Sequence, residues 1–262
     1  MNLQLKKFDP AKMGDDKVCL FIGKRGTGKS TLVTDIMYFK KDRIPAGVVM
    51  SATEEGNHYY QQYVPDLFVH GCYNKEVVEK IINSQKEKLI KFSKDKVKPI
   101  FILLDDCMYD RSFLKDECIR QLFMNGRHWK VFFLLTAQYC MDLPPGLRTN
   151  VDYVFVLREN VIQNREKLFK SFFGVFPNFP MFQQVMDACT ENYECLVIDN
   201  TSKSNHINEC VFYYKAKMRP PFRMGSPQWW SYHQRHYDPK YNLKTHIPDM
   251  KRRGPTVHVK KE

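Results

Sequence analysis

Residues 20–31 read LFIGKRGTGKST, an apolar run that passes into a glycine-rich turn and then into Lys29, Ser30 and Thr31. Gly23, four intervening residues and then Gly28-Lys29-Ser30 is the spacing of a phosphate-binding loop, and the strand-like run before it and helical pattern after it are the context such a loop requires. Gly23, Gly26 and Gly28 let backbone N–H groups turn inward around phosphates, and the helix that starts at Lys29 adds the positive end of its dipole. The stretch Gly23, Lys24, Arg25, Gly26, Thr27, Gly28, Lys29, Ser30 and Thr31 is therefore expected to hold ATP. Lys29 is expected to bridge the β- and γ-phosphates, and Ser30 to ligate Mg2+. Kinases, GTPase switches, helicases and transporters share this loop, so it fixes the ligand class and leaves the use of the energy open.

Outward from the loop, apolar runs alternate with helix-like segments. Residues 47–52, 99–104 (PIFILL), 131–136 (VFFLLT) and 153–157 (YVFVL) are continuous apolar runs of strand length, with a short candidate at 66–70. Strands apolar on both sides belong in a parallel sheet covered by helices on each face. Residues 29–39, 75–92, 161–173 and 179–189 carry helical patterns, and 195–199 with 210–214 read as a hairpin at the sheet edge. The expected fold is α/β: a three-layer P-loop NTPase domain over 1–217, with a mostly parallel central sheet. A basic, Pro- and aromatic-rich extension, partly disordered, is expected over 218–262.

The second chemical element is IFILLDD, which ends in Asp105 and Asp106 at the carboxyl end of a strand, where ligands of open α/β sheets bind. Asp105 fits the Mg2+-side acid, and Asp106 the carboxylate that polarises the attacking water. The usual residue there is Glu, so Asp106 is one methylene shorter. LLTAQ at 134–138 ends in Gln138, placed to sense the γ-phosphate or orient water. Arg127, in MNGRHWK just before that strand, is a candidate to reach the γ-phosphate of a neighbouring subunit, with Arg148 and Arg158 as alternatives. No guanine-reading NKxD-like motif, arginine-rich lid or ABC-type signature segment is present, which argues against a GTPase switch, a small-molecule kinase and an ABC ATPase.

The chain is 262 residues with 43% hydrophobic content, 19 Phe and 14 Tyr, enough for a full core in one domain plus an extension. No apolar stretch is long enough to span a bilayer and the N-terminus lacks an apolar signal core, so a soluble protein not exported by a cleaved signal is expected. The eight cysteines include no CxxC pair, and reduced buried thiols are expected. Cys189, Cys195, His206 and Cys210 have the wrong spacing for a zinc finger or ribbon. The net charge is +12, and residues 215–262 hold twelve Lys or Arg against three acidic residues, three quarters of the excess. Such asymmetry suggests a polyanion partner, against the alternative of a solvated basic tail. The lysine face of 86–98 reads as a solvated helix face or a backbone grip. Trp229, Trp230 and Tyr232 read as residues that fold the tail onto the domain, or stack on nucleic acid or dock on a partner.

GKRGTGKST, ILLDDC and NGRHWKVFFLLTAQYCMDLPPGLRTNVDYVFVLREN, in order over residues 15–215, resemble the genome-packaging ATPases of large nucleocytoplasmic DNA viruses, a family that belongs with the FtsK–HerA DNA-pumping ATPases. The resemblance implies a RecA-like core whose acidic strand is not adjacent to the loop strand. It implies a homo-oligomeric ring around double-stranded DNA, gripped without sequence specificity, and a capsid or portal-vertex component as docking partner. It matches Lys29 and Ser30 to the loop lysine and metal ligand, Asp105 to the metal-side acid and Asp106 to the catalytic acid. Gln138 matches the polar residue ending the next strand, and Arg127 the arginine preceding it. The expected function is an ATP-driven motor that moves viral DNA into the capsid, working in the host cytoplasm at the site of virus assembly or in association with the virion. A helicase or recombination-type translocase of the same superfamily, or an ATP-switched assembly protein, is the alternative.

Overall fold

The computed structural model describes residues 3–109 and 111–239. Among these, one sheet contains β1 (Lys6–Lys7), β2 (Val18–Ile22), β3 (Gly47–Ser51), β4 (Val69–His70), β5 (Ile100–Asp105), β6 (Val131–Ala137), β7 (Tyr153–Val156), β8 (Glu194–Asp199) and β9 (Val211–Lys215). Their spatial order is β1-β9-β8-β7-β2-β6-β5-β3-β4. β8 runs antiparallel to β7 and β9, and every other neighbouring pair is parallel. The helices are α1 (Lys29–Tyr38), α2 (Glu54–Asn57), α3 (Lys75–Lys91), α4 (Glu117–Asn125), α5 (Pro145–Arg148), α6 (Ile162–Phe172), α7 (Phe179–Cys189), α8 (Ile207–Cys210) and α9 (Pro227–His236). This is the expected P-loop NTPase fold, with β6 separating the loop strand β2 from the acidic strand β5.

The strand alternation sorts the core into two layers. Val18, Leu20 and Ile22 of β2, Ile102 and Leu104 of β5, and Phe133 and Leu135 of β6 pack with α3, α4, α6 and α7 residues such as Ile82, Leu122, Leu168 and Phe182. Cys19, Phe21, Phe101, Leu103, Phe132 and Leu134 face the opposite side, against Leu32, Val33 and Ile36 of α1. With successive side chains on opposite faces, Asp105 continues the Phe101–Leu103 row and Thr136 the Phe132–Leu134 row. Both polar side chains therefore project on the α1 side.

One expectation is corrected. The β8–β9 hairpin forms but is not the sheet edge, because β1 adds in parallel outside β9 through Lys6 and Lys7. Two exposed lysines on a two-residue strand blunt that edge against further pairing. The extension is likewise built into the α1-side layer as far as it is described. Met224 and Trp229 lie in its core. The N–H groups of Met224, Gly225 and Ser226 donate to the carbonyls of Tyr63, Lys41 and Pro45. Gly225 has φ +81°, and a Cβ there would lie 2.6 Å from the Pro45 oxygen, so this crossing requires glycine. Trp229 meets Phe101 edge-to-face at 6.0 Å, Trp230 donates its indole N–H to Met224 O, and Tyr232 remains 46% exposed. The basic residues from Lys240 onward lie outside the described residues.

Candidate active site

The loop between β2 and α1 closes on itself. Thr27 donates its hydroxyl to Lys24 O at 2.7 Å, and Gly26 and Gly28 take φ +78° and +96°. Gly23 is needed for closeness, since a Cβ there would lie 2.7 Å from Thr27 Oγ1 and 2.9 Å from Leu157 Cβ. Arg25, Gly26, Gly28, Lys29, Ser30 and Thr31 line one cavity of about 760 Å3 with Ala52, Thr53, Gly56, Asn57, Asp105, Asp106, Gln138 and Tyr193. Lys24 is directed elsewhere. Its ammonium pairs with Glu159 at 2.7 Å, anchoring the loop to the segment after β7. Burial works against the charge on Glu159, but the Lys24 pair, the Val161 N–H and the Asn164 amide outweigh it and hold the carboxyl below its usual range.

Lys29 donates to the carbonyls of Gly23 (2.6 Å) and Lys24 (3.2 Å). Burial lowers its pKa, while Asp106 and Asp105 act in the opposite sense. Register explains how the carboxylates arrive: Leu104 pairs with Leu135, so Asp105 lies level with Thr136 at the carboxyl ends of β5 and β6. Thr136 donates to Asp105 Oδ1 at 2.8 Å, and the buried Tyr60 hydroxyl donates to Oδ2 at 2.9 Å. Burial holds the Asp105 carboxyl above its ordinary range in spite of both donors. The chain then turns through φ +52° at Asp106, whose N–H donates to Thr136 Oγ1. That left-handed residue brings a second carboxylate to the same cavity, where Gln138 donates to Asp106 Oδ1 at 3.1 Å.

The donor set fits a hard divalent cation. Ser30 and Asp105 line the same cavity, and a cation would relieve the burial cost of the Asp105 charge. Beside that pair, Asp106 and Gln138 offer an acceptor and a donor for orienting water. Three contributors were not singled out from the sequence. Thr136 bonds both aspartates, and the only signal is one hydroxyl inside the apolar run FFLLTA. Tyr60 and Glu54, which accepts from the N–H groups of Tyr60 and Gln61, sit in the β3–β4 connection with no motif to mark them. The arginines separate. Arg127 is exposed in the turn before β6, at the opposite end of that strand from Gln138. Arg148 is engaged with Leu143 O, Ser171 Oγ and Met141 Sδ. Arg158 is exposed at the carboxyl end of β7, beside the loop. Cys189, Cys195, His206 and Cys210 belong to no group of three or more metal-ligating side chains among the described residues.

A glycine-rich loop opening a helix, two aspartates at the tip of the strand one removed, and a glutamine ending the strand between them define a P-loop NTPase of RecA-like topology. The family model described as "Poxvirus A32 protein" matches residues 5–216, and the chain belongs to that family; the resemblance to the packaging ATPases of large nucleocytoplasmic DNA viruses is borne out. An uncharacterised protein of Acanthamoeba polyphaga mimivirus is 36% identical over 245 residues, covering 91% of this chain and 86% of that one. Another, from Invertebrate iridescent virus 6, is 36% identical over 233 residues, with 88% and 89% covered. Among solved structures, the DNA-packaging ATPase B204 of Sulfolobus turreted icosahedral virus shares the fold with TM-score 0.56 at 16% identity, over 78% of this chain and all of that one. The genome packaging NTPase B204 of Sulfolobus turreted icosahedral virus 2, in complex with ATPγS, gives TM-score 0.52 at 15% identity, over 80% and 100%.

Proposed function

We propose that this chain is an ATP-hydrolysing motor that drives double-stranded DNA into a capsid during virion assembly, at the site of assembly in the host cytoplasm. The observation that carries the reading is the meeting of Lys29, Ser30, Asp105, Asp106 and Gln138 in one cavity, in a chain of the Poxvirus A32 protein family. The fold shared with a DNA-packaging ATPase supports it. Lys29 exchanges its loop carbonyls for the β- and γ-phosphate oxygens. Ser30 and Asp105 hold Mg2+, which when bound draws charge from the γ-phosphate. Asp106, steadied by Gln138, accepts the proton of the attacking water. Arg127 completes the site of the next subunit in a ring. DNA is gripped by backbone contacts that ignore sequence, as a motor acting on any genome segment needs.

The test is steady-state ATP hydrolysis with and without duplex DNA, alongside the mass of the assembled species. We expect Mg2+-dependent turnover that rises with duplex DNA, in a ring-sized assembly, and loss of turnover by about 100-fold or more in Lys29→Ala. An unchanged rate in Lys29→Ala overturns the site. Turnover indifferent to DNA overturns the motor and favours an ATP-switched assembly protein.

A further inference from the structure

Tyr193 lines the same cavity as the phosphate loop and is 69% exposed, although the residue after it begins a buried strand. Its ring lies against the loop: a carbon placed on Gly28 would lie 3.3 Å from Tyr193 Cδ1. Among the described residues lining that cavity it is the sole aromatic one. The backbone that holds it there is unusual. Glu194 N–H donates to Glu191 O at 2.9 Å, closing a four-residue turn whose central residues, Asn192 and Tyr193, take φ +50° and +63°. A turn with both central residues left-handed favours Asn-Gly. Asn192 is the expected residue, but Tyr193 occupies the place of glycine. The chain thus accepts backbone strain at a position where glycine relieves it, and the side chain so gained covers no core. Strain of this kind concentrates at ligand sites.

We propose that Tyr193 is the platform on which the base of the bound nucleotide stacks, and that it gives the cavity a preference for purines. The proposal rests on the nucleotide-binding reading above. Phosphates lying along Gly26–Ser30 carry the ribose and base to the rim of the cavity, where the ring offers a flat apolar face. Every base stacks on an aromatic ring, and the larger purine overlaps it more fully than a pyrimidine. Tyr193 is no part of the phosphate loop, so base and phosphate contributions are separable.

Tyr193→Gly restores the residue that the turn favours, so the variant keeps the fold and its melting temperature does not fall. The probes are ATP, CTP and inorganic tripolyphosphate, measured by direct binding and, for tripolyphosphate, also as an inhibitor of ATP hydrolysis. We expect Tyr193→Gly to weaken ATP by about 5- to 150-fold and to level the ATP-over-CTP preference. Tripolyphosphate should stay within about twofold of wild type, and Tyr193→Phe should retain both affinity and preference. Equal weakening of ATP and tripolyphosphate overturns the proposal, because Tyr193 then only props the loop. Unchanged ATP affinity overturns it as well. A wild-type protein that binds neither ATP nor tripolyphosphate overturns the nucleotide reading itself, a result distinct from the other two.

Discussion

Thr136 carries more of the site than its position inside an apolar strand suggests. Its hydroxyl donates to Asp105 and accepts from the Asp106 N–H, so one group fixes the first carboxylate and the left-handed turn that aims the second. Thr136→Val preserves shape and removes both bonds. The Asp106 N–H then lacks an acceptor, at a stability cost of about 1–3 kcal/mol. The larger consequence is misplacement of two carboxylates that must be held to within fractions of an ångström. We expect kcat for ATP to fall about 10- to 100-fold with KM nearly unchanged, because the loop that binds the phosphates is untouched. Steady-state kinetics separates the two parameters, and a rise in KM at constant kcat would contradict the assignment. Among the loop residues, Lys24 shows what a motif leaves unsaid. The pattern assigns the backbone of that position to phosphate, whereas its side chain is set by Glu159, far along the chain.

α1 shows how an element is held when its own signals are weak. Its N-cap is Gly28, in the left-handed region and without a side-chain cap, as a helix end open to phosphate oxygens requires. The anchor lies further along, at the fully buried Asp35, which accepts from Tyr214 OH (2.6 Å), Lys217 N–H (2.9 Å) and Arg219 Nε (2.7 Å). Asp35→Ala leaves these donors without their partner and should destabilise the domain by about 3 kcal/mol, a fall in Tm of about 6–12 °C that a thermal scan reads directly. No local pattern around residue 35 announces partners so distant in sequence. The central strands were legible for the converse reason: β5, β6 and β7 are buried on both faces, so each is an unbroken apolar run bounded by polar turns. β1 was not, because two residues carry no periodicity and its pairing is decided by a neighbour already in place, whereas the short candidate at 66–70 contains β4. The site divides the same way. Lys29 opens α1 and Asp105, Asp106 and Gln138 stand at strand ends, all within motifs, while Tyr60, which bonds Asp105, Glu54, which holds the Tyr60 backbone, and Tyr193, which lines the cavity, sit in connections whose course only the fold determines.

The sheet as a whole sets a polarity between the candidate site and Arg127. Lys29, Ser30, Asp105, Asp106 and Gln138 gather at the carboxyl ends of β2, β5 and β6, whereas Arg127 precedes the amino end of β6. Seven residues of extended strand separate those ends, roughly 20 Å, which no arginine side chain spans. Within one subunit Arg127 is therefore remote from the phosphates. In the proposed head-to-tail ring the two ends of neighbouring subunits would face each other, and one subunit would supply its arginine to the next. Of the other two arginines, Arg148 is committed to Leu143 and Ser171, and Arg158 stands beside its own loop. Arg127→Ala should thus bind ATP as wild type does and lose turnover, while Lys29→Ala loses turnover in its own cavity. Mixed in equal amounts under exchange conditions, each variant supplies what the other lacks at those interfaces where an Arg127→Ala cavity meets a Lys29→Ala neighbour. Random assembly makes about a quarter of interfaces of that kind, so turnover should return toward about a quarter of the wild-type rate from two inactive proteins. An Arg158→Ala and Lys29→Ala mixture serves as the comparison. Recovery there and none with Arg127→Ala would transfer the role to Arg158, and recovery in neither mixture would mean that each cavity works without its neighbour.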